Sequence, residues 1–115
     1  MQGRSKFPDD ENGDVLRLME SSGDNLDMAR DVDFEHIFTA SESALAFAAC
    51  TLNQTDTVSI SWYHEEHSWN VRVSRHMVPT YEAICALEVS LHKMAELYGG
   101  KSDGWGSFKV SASDS

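Results

Sequence analysis

The chain has 115 residues, 41% of them apolar, which suffices for one domain with a single core and no metal or disulfide support. Nine basic and nineteen acidic residues leave a net charge of −10, a balance that repels phosphate backbones and argues against direct nucleic-acid binding. The charge is unevenly spread: residues 9 to 35 hold ten acids against Arg17 and Arg30, a local −8, and the remainder is close to neutral.

Residues 1–8 read as a disordered lead, 9–110 as one domain, and 111–115 as a frayed tail. Met1 to Asp14 is polar throughout, so no signal peptide is expected. The least polar run, Ala44 to Leu52, is too short to cross a bilayer, and a cytoplasmic location with no membrane partner follows as the expectation. A short helix is predicted from Asp9 to Ser22, with Val15, Leu16 and Met19 as its apolar residues and Gly23 as its stop. Gly13 weakens its start, which could slip to Asp14.

Arg30 to Phe38 is predicted as a strand, because Val32, Phe34, His36 and Phe38 share one parity and Asp31, Asp33 and Glu35 the other. Thr39 or Ser41 can cap the following helix, in which Leu45, Ala48, Ala49 and Leu52 form the expected packed stripe. Thr57–Tyr63 and Ser68–Ser74 read as a hairpin around His64-Glu65-Glu66-His67. That loop length pairs Trp62 with Trp69, Ile60 with Val71 and Val58 with Val73, all on one face. Ser59, Ser61, Asn70, Arg72 and Ser74 make the other face polar.

Pro79 stops the second hairpin strand and Thr80 caps a long helix with a seam of Ile84, Leu87, Leu91, Met94 and Tyr98. Gly99-Gly100 ends it, Asp103-Gly104 reads as a turn, and Trp105 and Phe108 are expected as core anchors on a last strand from Trp105 to Val110. The order of elements is that of an α+β ferredoxin-like split βαβ sandwich: a four-stranded antiparallel sheet covered by two helices, with an extra N-terminal helix.

Chemistry is sparsely signalled. Gly99-Gly100-Lys101-Ser102 looks like the end of a phosphate-binding loop, but it follows a helix and precedes a strand, the reverse of what that loop requires. His64 and His67 are three residues apart on a hairpin tip, which is not zinc-protease spacing, and no metal or cofactor is expected. Cys50 and Cys85 read as two reduced, half-buried thiols. Arg75 and His76 are the sole acid-base candidates, and the sequence places no carboxylate or nucleophile beside them. The strands send their aromatics inward, so the outer face lacks the platform on which single-stranded RNA would stack. The acids suit a protein partner with a basic segment, with Asp9, Asp10, Glu11, Asp14, Asp31, Asp33 and Glu35 as the candidate contact residues. Nothing fixes the oligomeric state, and a monomer is the default.

Three stretches resemble a bacterial family, the RraB family (regulator of ribonuclease E activity B). They are the acidic lead Pro8-Asp9-Asp10-Glu11-Asn12-Gly13-Asp14, the segment Ser74-Arg75-His76-Met77-Val78-Pro79-Thr80, and the corner Gly99-Gly100-Lys101-Ser102-Asp103-Gly104-Trp105-Gly106. The resemblance implies the same α/β sandwich. It also implies a non-catalytic regulator that restrains RNA cleavage by contact with a ribonuclease. Arg75, Pro79, Gly99, Gly100, Asp103, Gly104 and Trp105 are the motif residues, with either a structural or a binding role. The alternative is a small-ligand-binding domain of the same fold and unrelated role.

Overall fold

A computed structural model of the protein describes residues 7–52, 56–108 and 110. The tail expected at 111–115 and most of the lead expected at 1–8 lie outside them. The described part is α+β, with three helices and a four-stranded antiparallel sheet. Helix α1 spans Glu11–Ser21, strand β1 Arg30–Phe38, helix α2 Ser41–Thr51, strands β2 and β3 Asp56–Tyr63 and Ser68–Met77, helix α3 Tyr81–Leu97, and strand β4 Lys101–Ser107. The sheet order is β2-β3-β1-β4, so β1 and β2 run the same way with β3 between them.

The hairpin has the register that the alternation predicts: Val58 opposes Val73, Ile60 opposes Val71, and Trp62 opposes Trp69. The two indoles pack tilted against each other at 5.0 Å between centroids. Val71 and Val73 are fully buried under the helices, whereas Trp62, at the sheet edge, stays 43% exposed. In β1 the expected parity also holds. Val32, Phe34 and Phe38 join the core, and His36 goes with them at 1% exposure. Its Nδ1 lies 3.4 Å from the Val71 carbonyl oxygen and its ring tilts against Phe47 at 4.8 Å. Burial pushes the His36 pKa below its usual value, because the charged imidazolium would lose its hydration there.

Five expectations are corrected. The buried stripe of α2 is Ala44, Phe47, Ala48 and Thr51, one residue out of step with the expected one, and Leu45 and Leu52 are 59% and 65% exposed. Phe47, the largest side chain on the helix, sets the rotation by inserting between His36 and Phe38. The last strand begins at Lys101, four residues before its predicted start. Asp103-Gly104 is not a turn: it lies within β4 where the register against β1 shifts, because three steps from Ser102 to Trp105 face two from His36 to Phe34. Gly104, at φ 93°, supplies the left-handed residue that such a β-bulge uses. Phe108 is not a core anchor but 89% exposed. Cys50 is exposed and only Cys85 half-buried, and both thiols are free.

One buried feature has no sequence signal. Arg30 and Asp24 form a fully enclosed ion pair, at 2.9 and 3.1 Å through two nitrogens. The guanidinium also donates to the carbonyls of Asn25, Met28 and Phe108, and Asp24 accepts from the Val110 N–H at 3.0 Å. This pair ties the α1–β1 loop to the chain beyond β4. Asp24 and Arg30 are six residues apart, but the Ser107, Phe108 and Val110 groups that complete the enclosure come from 77 to 86 residues away, which is why no local pattern reveals it.

Candidate functional site

The helices cover one face of the sheet, and strand alternation puts Asp31, Asp33 and Glu35 on the other. The register sets each opposite a β3 residue: His76, Ser74 and Arg72. Each carboxylate is bonded across the strand pair. His76 Nδ1 lies 2.9 Å from Asp31, the Ser74 hydroxyl donates to Asp33 at 2.5 Å, and Arg72 Nε donates to Glu35 at 2.7 Å. The Asn70 amide also donates to Glu35, at 2.7 Å, although Asn70 is buried despite its place on the polar face. Hydrogen bonding to Glu35, followed by its charge, holds the Arg72 pKa above the usual value. The acids are therefore rungs of a polar ladder, not the unpaired carboxylates that the charge count suggests. Asp31 is the most exposed, with 74% of its side chain open to solvent. On the β4 side Asp33 faces Gly106, which contributes no side chain to screen it.

The other candidate acids lie elsewhere. Helix α1 packs on α3, in the layer on the opposite side of the sheet. Asp10 is the N-cap of α1: its side chain accepts the Gly13 N–H at 2.8 Å and the Tyr81 hydroxyl. Those two bonds hold the Asp10 carboxyl below the usual range, and the Asp10 carboxylate pushes the Tyr81 phenol up. Asp14 pairs with Arg17, which also donates to the Phe7 and Pro8 carbonyls at 3.0 Å each. Asp9 and Glu11 are exposed, Asp9 at 3.9 Å from Arg17 and Glu11 in the first helical turn. The acidic segment thus contributes to two surfaces separated by the sheet.

Two of the stretches that carry the family resemblance, the lead and the corner, meet at α1, and the third ends one residue before Tyr81, which bonds to Asp10. Asn12 accepts the Trp105 indole N–H at 2.9 Å and donates to Glu88 at 2.9 Å, joining α1, β4 and α3. Asp10 reaches Tyr81, just after Pro79, which is buried. Gly13, expected to weaken the helix, is required: a Cβ there would sit 1.9 Å from the Pro8 carbonyl oxygen. Gly99 takes φ 80° to end α3, and a Cβ on Gly100 would lie 2.2 Å from the Phe38 ring. Trp105, expected to be largely buried, is half-buried against the core, and Asp103 is exposed at the bulge.

Arg75 and His76 do not share a site. Arg75 points to the helix side and makes a two-pronged pair with Asp56 at 2.8 and 2.9 Å, while His76 points to the open face. The sequence carries no local sign of the Asp31 partner of His76; pairing 45 residues apart follows only from the β1–β3 register. Among the described residues no cluster of three His, Cys, Asp or Glu side chains could hold a metal, and no helix is long and apolar enough to cross a membrane. A groove of about 380 Å³ runs between α3 and the start of β4, lined by Glu88, Val89, His92 and Ser102 among others, and offers a small ligand mixed polar and apolar contacts. No curated protein matches the chain. Apart from Pro8, the lead, the β3–α3 segment and the glycine corner all fall within residues 9–107, the span that matches RraB, Regulator of ribonuclease activity B, and the chain belongs to that family.

Proposed function

We propose that the protein restrains a ribonuclease by protein contact, without catalysis, and that the ribonuclease is of the E type. The family match over residues 9–107 carries this reading. The strand order β2-β3-β1-β4, with β1 and β2 parallel about β3, supports the ferredoxin-like split βαβ plan as the scaffold. The open face, with Asp31, Asp33 and Glu35 in register along β1, is the contact surface of choice. A basic segment of the ribonuclease, bacterial and cytoplasmic as the regulator would be, complements it in charge. Asp9 and Glu11 at α1 form a second acidic edge on the far side of the sheet, within reach of a partner that wraps around the domain. A polar ladder of this kind presents hydrogen-bonding groups already fixed in place, which lowers the entropy lost on docking.

The test is a cleavage assay with purified ribonuclease E on a single-stranded RNA, with the regulator added in increasing amounts. Inhibition that saturates, together with a stable complex by calorimetry and no effect of the regulator on the RNA alone, supports the proposal. Undiminished cleavage with no complex contradicts it. In that case a ligand retained in the α3–β4 groove by the purified protein would favour the small-ligand reading.

A further inference from the structure

The two edges of the sheet are treated differently. Strand β4 carries the devices that discourage strand addition: a register shift, Gly104 and Gly106, and Lys101 at its start. Strand β2 carries one such device, the inward-pointing Asp56 at its start, which pairs with Arg75, and none from residue 57 to 63. Its eight residues pair with β3 without a shift and include no Gly, Pro or Lys, and its outer side has no strand beside it among the described residues. Val58 and Ile60 are only half-buried there, and Trp62 is 43% exposed although it lies on the helix-covered side.

Helix α2 extends that surface. It lies over β2 and β3, and its Cys50 Sγ sits 3.0 Å from the hydroxyl of Tyr98 at the end of α3. Cys50 therefore marks the flank that faces α3. At 100° per residue, Leu45 and Leu52 lie about 140° and about 160° around from it, on the flank that overhangs the outer edge of β2. Both leucines are more than half exposed. Residues 43–52 and 57–63 contain no charged side chain in a chain with 28 charged residues. Two copies of a chain with a net charge of −10 repel each other unless they meet where the acids are absent, and this is such a place.

We propose that a second copy of the chain pairs along β2, antiparallel and two-fold symmetric about Ile60, so that the two sheets become one of eight strands and the two α2 flanks touch. The register is self-complementary. Ile60 opposes its own copy, Val58 opposes the copy's Trp62, Ser59 its Ser61, and Thr57 its Tyr63. Every pair then joins residues of the same face, as an antiparallel ladder demands. Leu45 and Leu52 roof the apolar row. The protected β4 edges are left outside, so assembly closes at two.

Sedimentation of the full chain over a dilution series tests this. The expected species has twice the chain mass at high concentration and dissociates on dilution. The double variant Leu45→Glu, Leu52→Glu, which alters only exposed positions, is expected to run at the chain mass throughout with an unchanged far-ultraviolet spectrum. The register has its own test in a Cys50→Ser, Cys85→Ser background: Ile60→Cys should form a covalent dimer on mild oxidation and Thr57→Cys should not. A wild type of single-chain mass at every concentration overturns the proposal, as does equal cross-linking at both positions. If the single-chain species loses ribonuclease binding through Leu45→Glu and Leu52→Glu, the edge belongs to a strand of the partner and not to a second copy.

Discussion

Asn12 uses both ends of its amide to join three elements, accepting from Trp105 and donating to Glu88. Removing it leaves a half-buried indole N–H unpaired, so Asn12→Ala should cost about 1–2 kcal/mol. Trp105→Ala should cost about 3 kcal/mol, the low end for a tryptophan because the ring is only half-buried. A double-mutant cycle read by urea unfolding is expected to give a coupling of about 1 kcal/mol, and additive losses would mean the bond contributes nothing. His36 gives a pH prediction. Its folded pKa lies below the usual value near 6.5, so below about pH 6.5 the unfolded chain binds the proton more readily than the folded one. Stability should therefore fall as pH drops through that window. The nearly isosteric His36→Phe should flatten the slope, and equal slopes for the two proteins would refute the assignment. Asn12 and Gly13 show the limit of sequence reading at this scale. The motif was visible, but Gly13 looked like a weak helix residue because the Pro8 carbonyl that excludes a Cβ is a contact, not a pattern.

Strands β1 to β3 and the apolar seam of α3 are legible in the sequence, whereas the rotation of α2 and the start of β4 are set by packing and pairing. Strand β1 has the predicted ends and the hairpin the predicted pairs, since alternation with one large apolar face leaves a single register. Helix α2 is alanine-rich and apolar nearly all round, so periodicity could not choose its buried side; the fit of Phe47 against Phe38 and His36 did. Phe47→Ala should accordingly cost about 3–5 kcal/mol and Leu45→Ala well under 1 kcal/mol by thermal or urea unfolding. Reversal of that order would restore the expected stripe. The β4 bulge was misread as a turn because Asp-Gly favours both, and only pairing with β1 decides between them. Breaking the enclosed Arg30–Asp24 pair with Asp24→Ala should be among the costliest single changes, about 3–5 kcal/mol, because it strands a buried guanidinium. A loss below 1 kcal/mol would show that water enters the clasp.

For the whole molecule, the −8 concentrated in residues 9–35 becomes two surfaces, one on the open sheet face and one at α1 beyond the helix layer. The sequence already separates Asp31, Asp33 and Glu35 on a strand face from Asp9 to Asp14 at the leading helix; that the sheet lies between them depends on where α1 packs. On the open face all three acids are bonded across the strand pair, and that face is the proposed ribonuclease contact. Steering by exposed charge acts over the Debye length, about 8 Å at physiological ionic strength, so the contact should weaken steeply with salt. The decisive measurement is affinity for ribonuclease E against ionic strength, for the wild type and for Asp31→Asn, Asp33→Asn, Glu35→Gln, with thermal melts confirming that the variant, whose amides keep the shape of the carboxylates, stays folded. The account predicts salt-sensitive binding by the wild type, and binding by the variant that is weaker at low salt and flatter with salt. Equal affinities with equal salt dependence would contradict it.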